Sequence, residues 1–486
     1  MAIVASIRNA ALAIACCALL AATAAPAEAA GHDWTRFGFG PARSNSSTAV
    51  AGIAAADLSH LERQDVALSG TVDSSPLYLH DIEVMGRVRD VFVATSSYGR
   101  TFAIAARSGK ILWTYTPPSY GALAGTKQYT TSSPVADRKR GYVYSPSPDG
   151  LIRKLSLKDG SEVLTQGWPA AITRDAGHEK ISSPLNLSHG YVIATTASYG
   201  GDIPPYQGHV ALVDPDSGAL AHVFNALCSR RHELMQPTAC GRVGSGIWAR
   251  SGAVVVPGSH RLLVATGNGN FDGATDWGDT VLELSSDAAK VMGSWTPTNE
   301  EALDHFDFDL GSTAPALLRT GTGWLALQGG KDGILRLLDV ADLNGHGRAC
   351  LCKGGELQTL HTPNREKVMT APASWRHNGH SWLFVTTYET TTAYRLSGNP
   401  PRLHRMWGND RPGSSPTVAG GLLYIYDPVG GGVAVYRPAS GKRLAVLASA
   451  GGHWSSPVVA DGRIAIPVGN ANLQRQTGTL TIYRKP

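Results

Sequence analysis

The sequence feature that most constrains the fold is a short motif that recurs along the chain. Seven copies read Ser or Thr, then Ser or Ala, then Pro, and they begin at Ser74, Ser132, Ser182, Thr313, Thr370, Ser414 and Ser455. A degenerate copy at residues 246–249 fills the gap between the third and the fourth, which makes eight copies. The shortest spacing places Pro416 and Pro457 41 residues apart. A unit of this size cannot bury its own faces and must pack against its neighbours.

Each copy is followed by the same order of strands and turns. An alternating apolar strand such as Val91–Ala94 precedes a glycine, and a second strand such as Thr101–Ile104 follows it. A Ser-Gly or Asp-Gly turn then leads to a third strand, because glycine supplies the positive φ that a tight hairpin needs. With 55 Gly and 28 Pro the chain is turn-rich. Eight four-stranded units predict an all-β fold, an eight-bladed β-propeller; an open solenoid is the alternative, but four strands per repeat favour a ring.

The last copy is one strand short. It ends at Leu480–Tyr483, close to the carboxyl terminus. We therefore predict that an N-terminal strand near Arg63–Leu68 completes this blade, so that strands from both ends of the chain close the ring.

The first residues have the pattern of an export signal. Arg8 precedes an apolar run from Ala10 to Ala25, and residues 27–29 offer small residues for a cut before Ala30. A membrane anchor is the alternative, but the run is shorter than the ~20 residues that span a bilayer. A lipid anchor on Cys16 or Cys17 would need a Leu three residues earlier. We expect residues 1–29 to be a signal peptide, residues 30–486 to form one propeller, and the protein to be periplasmic or secreted.

The distribution of charge and the spacing of the cysteines limit which binding partners, disulfides and cofactors we expect. The formal net charge of +5 is spread without a Lys/Arg cluster, so nucleic acid is an unexpected partner. Cys228 and Cys240 are predicted to form a disulfide in an oxidising compartment. A bridge between Cys350 and Cys352 would be strained, and their spacing fits no zinc motif. The Cys-x-x-Cys-His motif of covalent c-type haem does not occur in the sequence.

The order of Ser-Ser-Pro, strand, Gly, strand and a turn such as Ser108-Gly109-Lys110 followed by Trp113 resembles the repeat of pyrroloquinoline-quinone (PQQ) dehydrogenases and their non-enzymatic relatives. The resemblance covers nearly the whole chain after residue 29. It implies a propeller whose axis can hold PQQ beside a calcium ion, although one fold hosts unrelated functions.

Three residues match the family's cofactor positions in order. Trp248 stands where the family has a tryptophan under the quinone plane, and stacking on indole suits a flat cofactor. Asn268, within Thr-Gly-Asn, stands at the position of an amide ligand to Ca²⁺. Lys331 resembles the lysine that polarises the quinone oxygens.

The family's catalytic base is an Asp in a segment that begins Thr-Pro and reaches Trp-Asp. Thr296-Pro297 is followed here by Asp304, Asp307 and Asp309 without that Trp. Asp304 is the best match, as base and as metal ligand, and Asp307 is nearly as good. Such an Asp would take the proton of an alcohol while hydride leaves for the quinone.

Two departures from the family pattern weaken the resemblance to an active enzyme. No Glu stands near residues 197–201, where the family has a calcium ligand, and Asp202 is the replacement that the sequence offers. The adjacent Cys pair that covers the cofactor is also missing, because residues 131–133 read Thr-Ser-Ser.

Ordinary structural roles remain open for each site residue. Trp248 could be a core aromatic, Asn268 a left-handed turn residue and Lys331 a solvated turn lysine. The run of Asp residues from 304 to 309 could be a charged loop, or a Ca²⁺ site without PQQ. The first interpretation of the sequence is an exported PQQ-dehydrogenase-like propeller that oxidises an alcohol or polyol and passes electrons to an external acceptor. The alternative is a non-catalytic propeller that binds an envelope protein or another ligand.

Overall fold

The computed structural model describes residues 31–347, 350 and 352–486. The predicted signal peptide lies outside these residues. Within them, the strands form eight antiparallel sheets, seven with four strands and one with five. The prediction of an eight-bladed β-propeller is confirmed.

The blades are numbered here in chain order. Blade 1 contains Leu77–Val84, Arg87–Thr95, Thr101–Ala105 and Ile111–Tyr115; blade 2 contains Val135–Asp137, Tyr142–Pro146, Leu151–Ser156 and Ala170–Ala171. Blade 3 contains Glu179–Ile181, Asn186–Ser188, Tyr191–Ser198, His209–Val213 and Leu220–Asn225; blade 4 contains Val254–Val255, Leu262–Ala265, Val281–Leu284 and Val291–Trp295. Blade 5 contains Ala316–Arg319, Trp324–Gln328, Ile334–Asp339 and Gln358–His361; blade 6 contains Ala373–His377, His380–Thr386, Thr391–Ser397 and Arg402–Asn409. Blade 7 contains Thr417–Ala419, Leu422–Tyr426, Val433–Tyr436 and Arg443–Leu447; blade 8 contains Val458–Ala460, Arg463–Val468, Gly478–Arg484 and Glu62–Leu68.

The helices are short. Two α-helices span Tyr120–Leu123 and Glu300–Phe306, and 3₁₀ turns span Asp57–Ser59, Pro237–Cys240, Leu310–Ser312, Pro363–Arg365 and Ala471–Leu473. Over the described part of the chain, none of the helices has the length and apolar character needed to cross a bilayer.

Strands from both ends of the chain meet in blade 8, as predicted. Glu62–Leu68 pairs antiparallel with Gly478–Arg484 over seven residues, from Glu62 opposite Arg484 to Leu68 opposite Gly478. The first strand of the described chain is therefore hydrogen-bonded to the last one. This pairing completes the fourth strand of the blade and closes the ring.

Apolar side chains hold neighbouring blades together. Val66 and Leu68 of the closing strand pack in one buried cluster with Phe92 and Phe102 of blade 1. Another cluster joins Leu263 of blade 4 to residues of blade 5. Each sheet thus buries both faces, which explains why the strands alternate so regularly in sequence.

The recurring hydroxyl of the motif links consecutive blades. Ser132 Oγ donates to the carbonyl oxygen of Ser183 at 2.6 Å, and Thr313 Oγ1 donates to that of Thr370 at 2.8 Å. These groups are buried, so an unsatisfied carbonyl there would be costly. The repeat therefore keeps a small hydroxyl residue because it bonds to the next copy.

Both cysteine pairs are bonded in the structure. Cys228 and Cys240 form the predicted disulfide in the insertion after blade 3, with Cα atoms 6.0 Å apart. Cys350 and Cys352 are bonded as well, with Cα atoms 5.2 Å apart, although their spacing argued against it.

Candidate functional site

Backbone hydrogen bonds bring the Trp248 segment beside the Asn268 segment. Ser245 N–H donates to the carbonyl of Asn268 at 2.6 Å, and Gly267 N–H donates to that of Gly246 at 2.8 Å. Gly246 is required here, because a Cβ atom would lie 2.8 Å from Cβ of Ala197. The degenerate motif copy thus positions Trp248, which is half-buried, next to the candidate metal ligand.

Asn268 is held by two carboxylates and keeps one free acceptor. Its backbone N–H donates to Asp309 Oδ1 at 2.9 Å, and its Nδ2 donates to Asp307 Oδ1 at 3.0 Å. Its Oδ1 atom is buried and has no hydrogen-bond partner. A buried acceptor without a donor is unfavourable unless a cation or another donor meets it. The amide is therefore oriented as an oxygen ligand would be.

Lys331 lies between the same two carboxylates. Its Nζ atom is 2.8 Å from Asp307 Oδ1, 2.5 Å from Asp309 Oδ2 and 5.5 Å from the centre of the Trp248 ring. Burial acts to lower the pKa of Lys331, but the charges of Asp309 and Asp307 outweigh it and the pKa is raised. The ammonium group therefore remains charged at neutral pH, close to the indole face.

Asp202, Asp307 and Asp309 form an acidic trio at this point. One carboxylate oxygen from each lies within 4.8 Å of the others. Partial burial, then the charge of Asp309, raises the pKa of Asp202. Three carboxylates against the single charge of Lys331 leave an excess of negative charge, which favours cation binding. Asp202 thus lies where the sequence offered it as the replacement for the missing Glu.

Asp304 occupies a different place. It is exposed on the helix Glu300–Phe306, whereas Asp307 follows the helix in a left-handed conformation and points its carboxylate at Lys331. Asp309, only 7% exposed, contacts both Lys331 and Asn268. The sequence did not single out Asp309, and its position two residues after Asp307 is the one signal it left. Trp248, Asn268, Lys331 and Asp307 converge, and Asp304 is apart from their contacts.

Gly267 makes room for the buried carboxylate. A Cβ atom at this position would lie 2.3 Å from Asp309 Oδ1 and 3.4 Å from Trp248 Nε1. Gly311, in the 3₁₀ turn Leu310–Ser312, has the same function from the other side of the contact, because its Cβ would lie 2.5 Å from the carbonyl carbon of Thr266. Two glycines therefore let Asp309 approach both the amide and the indole.

A second charged group, which sequence reasoning missed, is built around Asp73. Its carboxylate is buried and accepts from His453 Nδ1 at 2.8 Å, from Trp454 N at 2.7 Å and from Ala471 N at 2.9 Å. Arg250 is also buried and donates to the carbonyl of Thr131 at 2.9 Å, in the segment where the family's Cys pair would stand. Segments that are distant in sequence supply these groups, so spacing alone gave no signal.

Lys180 connects the two charged groups. Its Nζ atom lies 5.3 Å from the centre of the Tyr129 ring. Burial, and then the charge of Arg250, lowers the pKa of Lys180 to about 8, while Asp73 and Asp202 act in the opposite direction. Burial also lowers the pKa of Arg250 to about 10. Both side chains are still cationic at neutral pH, so the site contains Lys331, Lys180 and Arg250 as well as the acidic trio.

The chain was compared with known proteins. No family model matches it. The quinohemoprotein alcohol dehydrogenase ADH IIB of Pseudomonas putida is 25% identical over 411 residues, which cover 74% of this chain and 56% of that protein. The chain thus spans little more than half the length of this curated relative.

Solved structures share the fold. The quinohemoprotein alcohol dehydrogenase of Comamonas testosteroni superposes with a TM-score of 0.66 at 16% identity, covering 94% of this chain and 81% of that one. A europium-containing methanol dehydrogenase superposes with a TM-score of 0.67 at 16% identity, covering 93% and 98%. These likenesses show that the chain has the β-propeller fold of the quinoprotein dehydrogenases, and its recurring motif resembles their repeat.

Proposed function

We propose that the protein is an exported oxidoreductase that uses PQQ and a bound metal ion to oxidise an alcohol or polyol, and passes the electrons to an external acceptor. The observation that carries this proposal is the meeting of Trp248, Asn268 and Lys331 with the carboxylates of Asp307 and Asp309. These residues come from separate parts of the chain, and all of them except Asp309 are implied at such a site by the resemblance to the family.

The donor set suits a hard cation. The acidic trio offers three carboxylates within 4.8 Å of one another, and the Oδ1 atom of Asn268 is buried with no hydrogen-bond partner. Ca²⁺ takes carboxylate and amide oxygens as ligands. These residues therefore fit the calcium ion that the sequence predicts, with Asn268 and Asp309 as the most buried ligands.

The charge of the site also suits a trivalent ion. Three carboxylates exceed the charge of a divalent cation, and Lys331 has to compete with any ion for Asp307 and Asp309. Coulomb attraction grows with ionic charge, so a lanthanide should bind more tightly than Ca²⁺. A related fold does contain europium. We therefore include Eu³⁺ among the metals to test.

The residues around the metal site suit a flat, anionic quinone. When bound, PQQ would accept two electrons from the substrate as hydride. Trp248 offers a half-buried indole face for stacking. Lys331 lies 5.5 Å from that ring, so its ammonium group can stabilise negative charge on an oxygen bound above the indole. Arg250 and Lys180 supply further positive charge for carboxylate groups.

Asp307 is the better placed base. Asp309 uses one oxygen for Asn268 N–H and the other for Lys331, and it is nearly enclosed. Asp307 is 64% exposed, and Oδ1 accepts both of its bonds within this site, from Asn268 and Lys331. An alcohol proton could reach Asp307 Oδ2 from the open side. In this arrangement Asp309 holds the metal and Asp307 takes the proton.

The test is reconstitution of the purified protein. Protein loaded with PQQ and either Ca²⁺ or Eu³⁺ is mixed with a redox dye and a panel of primary alcohols and polyols. We expect alcohol-dependent dye reduction that Lys331→Ala abolishes and that Asp304→Asn leaves unchanged. An absence of PQQ binding at micromolar concentration would end the enzymatic proposal and favour a non-catalytic binding role.

A further inference from the structure

A second group of metal-ligating side chains lies at the seam where blade 1 meets blade 8, remote in sequence from the acidic trio. One ligand atom from each of His80, Asp81 and Asp90 lies within 4.8 Å of the others; these three residues are called the seam cluster. Two of them stand on the first strand of blade 1 and the third on the next strand. The pairing of these strands shifts register between Leu79 and Ile82. This bulge places His80 and Asp81 beside Asp90.

The contacts of His80 fit a metal ligand better than a hydrogen-bonded side chain. Its Nδ1 atom is 2.9 Å from Asp90 Oδ1 and 3.3 Å from Asp461 Oδ2, and its Nε2 atom is 3.2 Å from Asp81 Oδ2. Nδ1 is nevertheless buried without a hydrogen bond, so neither neighbouring oxygen lies in its donor direction. Ligand atoms around a tetrahedral Zn²⁺ are about 3.4 Å apart, given metal–ligand distances of about 2.0–2.2 Å. An imidazole offers one nitrogen to an ion, and one nitrogen of His80 lies within 4.8 Å of an oxygen of each Asp, so a small rotation of these side chains brings the ligand atoms to this spacing.

Residues from two further segments surround the cluster. Asp461 stands in the turn between the first two strands of blade 8, and its Oδ1 atom lies 3.6 Å from His32 Nδ1. The Nε2 atom of His32 is also buried without a hydrogen-bond partner. A bound ion would therefore face the N-terminal segment, blade 1 and blade 8 at the place where the ring closes.

The charged groups around the seam cluster have a net negative charge that suits a divalent cation. The carboxylates around His80 and His32 are those of Asp33, Asp81, Asp90 and Asp461, and the guanidinium groups that contact them are those of Arg138 and Arg463. Four negative charges against two positive ones leave an excess of two. One divalent cation would neutralise this excess, and the two buried imidazole nitrogens without hydrogen-bond partners offer it ligands.

We propose that His80, Asp81 and Asp90 bind a divalent transition-metal ion such as Zn²⁺, with Asp461 and His32 beside it, and that the ion ties the N-terminal segment to the closing seam. Imidazole and carboxylate ligands suit Zn²⁺, whereas the all-oxygen acidic trio suits Ca²⁺ or a lanthanide. The protein thus has two metal sites of different chemistry, of which the seam site has a structural function.

The test is a Zn²⁺ titration of tag-free, EDTA-treated protein by calorimetry, with thermal unfolding measured in parallel. All variants are made in protein that already carries Asp309→Asn. This substitution disrupts the acidic trio, so the Zn²⁺ titration is separate from the test of the proposed function. We expect one bound Zn²⁺ per chain and a raised Tm. Both effects should be lost, with at least a tenfold fall in affinity, in His80→Gln and in Asp81→Asn.

The control is Asp216→Asn, which removes an exposed carboxylate that pairs with Arg140 on another blade. The protein with Asp216→Asn added to Asp309→Asn should bind Zn²⁺ as tightly as the protein with Asp309→Asn alone. Asp81 is exposed, so its substitution leaves the fold intact even if His80→Gln does not. No Zn²⁺ binding, or binding that Asp81→Asn leaves unchanged, would overturn the proposal.

Discussion

Lys331 Nζ lies 2.5 Å from Asp309 Oδ2, and this carboxylate also receives the backbone N–H of Asn268. The nearly buried Asp309 therefore positions both the ammonium group of Lys331 and Asn268, the candidate amide ligand. A metal ion that binds Asp309 has to share it with Lys331 or displace the ammonium group toward the indole. In the proposed function, metal binding and quinone binding would therefore both depend on Asp309.

Replacing Asp309 by Asn should weaken metal binding by at least about tenfold, because a ligand charge is lost. Asp304→Asn is the matched control, since Asp304 is an exposed carboxylate only five positions earlier. Calorimetric titration with Ca²⁺ and Eu³⁺ measures both variants. A loss in Asp304→Asn with none in Asp309→Asn would mean that the helix carboxylate, as first expected from the sequence, is the ligand.

Gly267→Ala should displace Asp309 without unfolding the protein. The new Cβ would lie 2.3 Å from Asp309 Oδ1, a distance that no side chain tolerates without movement. We expect the Eu³⁺ affinity to fall roughly tenfold, by analogy with other changes around a metal ligand. Gly321→Ala has no atom within 4 Å of its Cβ and should bind Eu³⁺ normally. Unchanged binding by Gly267→Ala would show that Asp309 does not hold the ion.

Metal binding should weaken as the pH falls. Burial and the charge of Asp309 raise the pKa of Asp202, so its carboxylate gains a proton sooner than an ordinary Asp as the pH falls. The proton then competes with the metal, and the affinity decreases as the pH passes down through that raised pKa. In the absence of metal, a fall in pH has the opposite effect on the folded protein. Because the folded state binds this proton more tightly than the unfolded state does, the free energy of unfolding increases as the pH falls through the raised pKa.

Calcium affinity measured as a function of pH in the wild type and in Asp202→Asn checks this prediction. The variant should bind more weakly at neutral pH and should lose part of the pH dependence. A variant with the pH profile of the wild type would mean that Asp202 is no ligand.

The fold could be predicted from the sequence because its signal is repeated eight times. The closing strand near Arg63–Leu68 was predictable from a count of strands, since the last copy lacked one. Trp248, Asn268 and Lys331 could be selected as site candidates because they stand in the order of the family's cofactor positions, and in the structure they lie around Asp307 and Asp309.

The remaining features of the site depend on which side chains come together in the folded chain. Asp309 could not be distinguished from Asp304 by spacing, because a short helix turns one carboxylate outward and the following 3₁₀ turn buries the other. Asp73 and Arg250 gave no sequence signal, since their partners are distant along the chain. The disulfide between Cys350 and Cys352 was not expected, because a bridge between cysteines separated by a single residue is strained.

Ring closure should depend on the apolar residues of the N-terminal strand. Leu68 is buried between blades 8 and 1, so Leu68→Ala should lower the free energy of unfolding by about 2–5 kcal/mol. Arg63, on the same strand, forms an exposed ion pair with Asp65, and Arg63→Ala should cost less than about 1 kcal/mol. Urea unfolding of both variants measures the difference. Equal stabilities would contradict the closure of the ring by this strand.

The most direct test of the central claim is calorimetric titration of metal-loaded protein with PQQ. We expect saturable binding of one PQQ per chain, weakened at least about tenfold in Trp248→Leu because the stacked indole is lost. Trp324→Leu is the control, since Trp324 is a half-buried tryptophan that packs against Arg319 on blade 5. It should bind PQQ like the wild type. No saturable binding, or an equal effect of the two tryptophan substitutions, would contradict a cofactor site at Trp248.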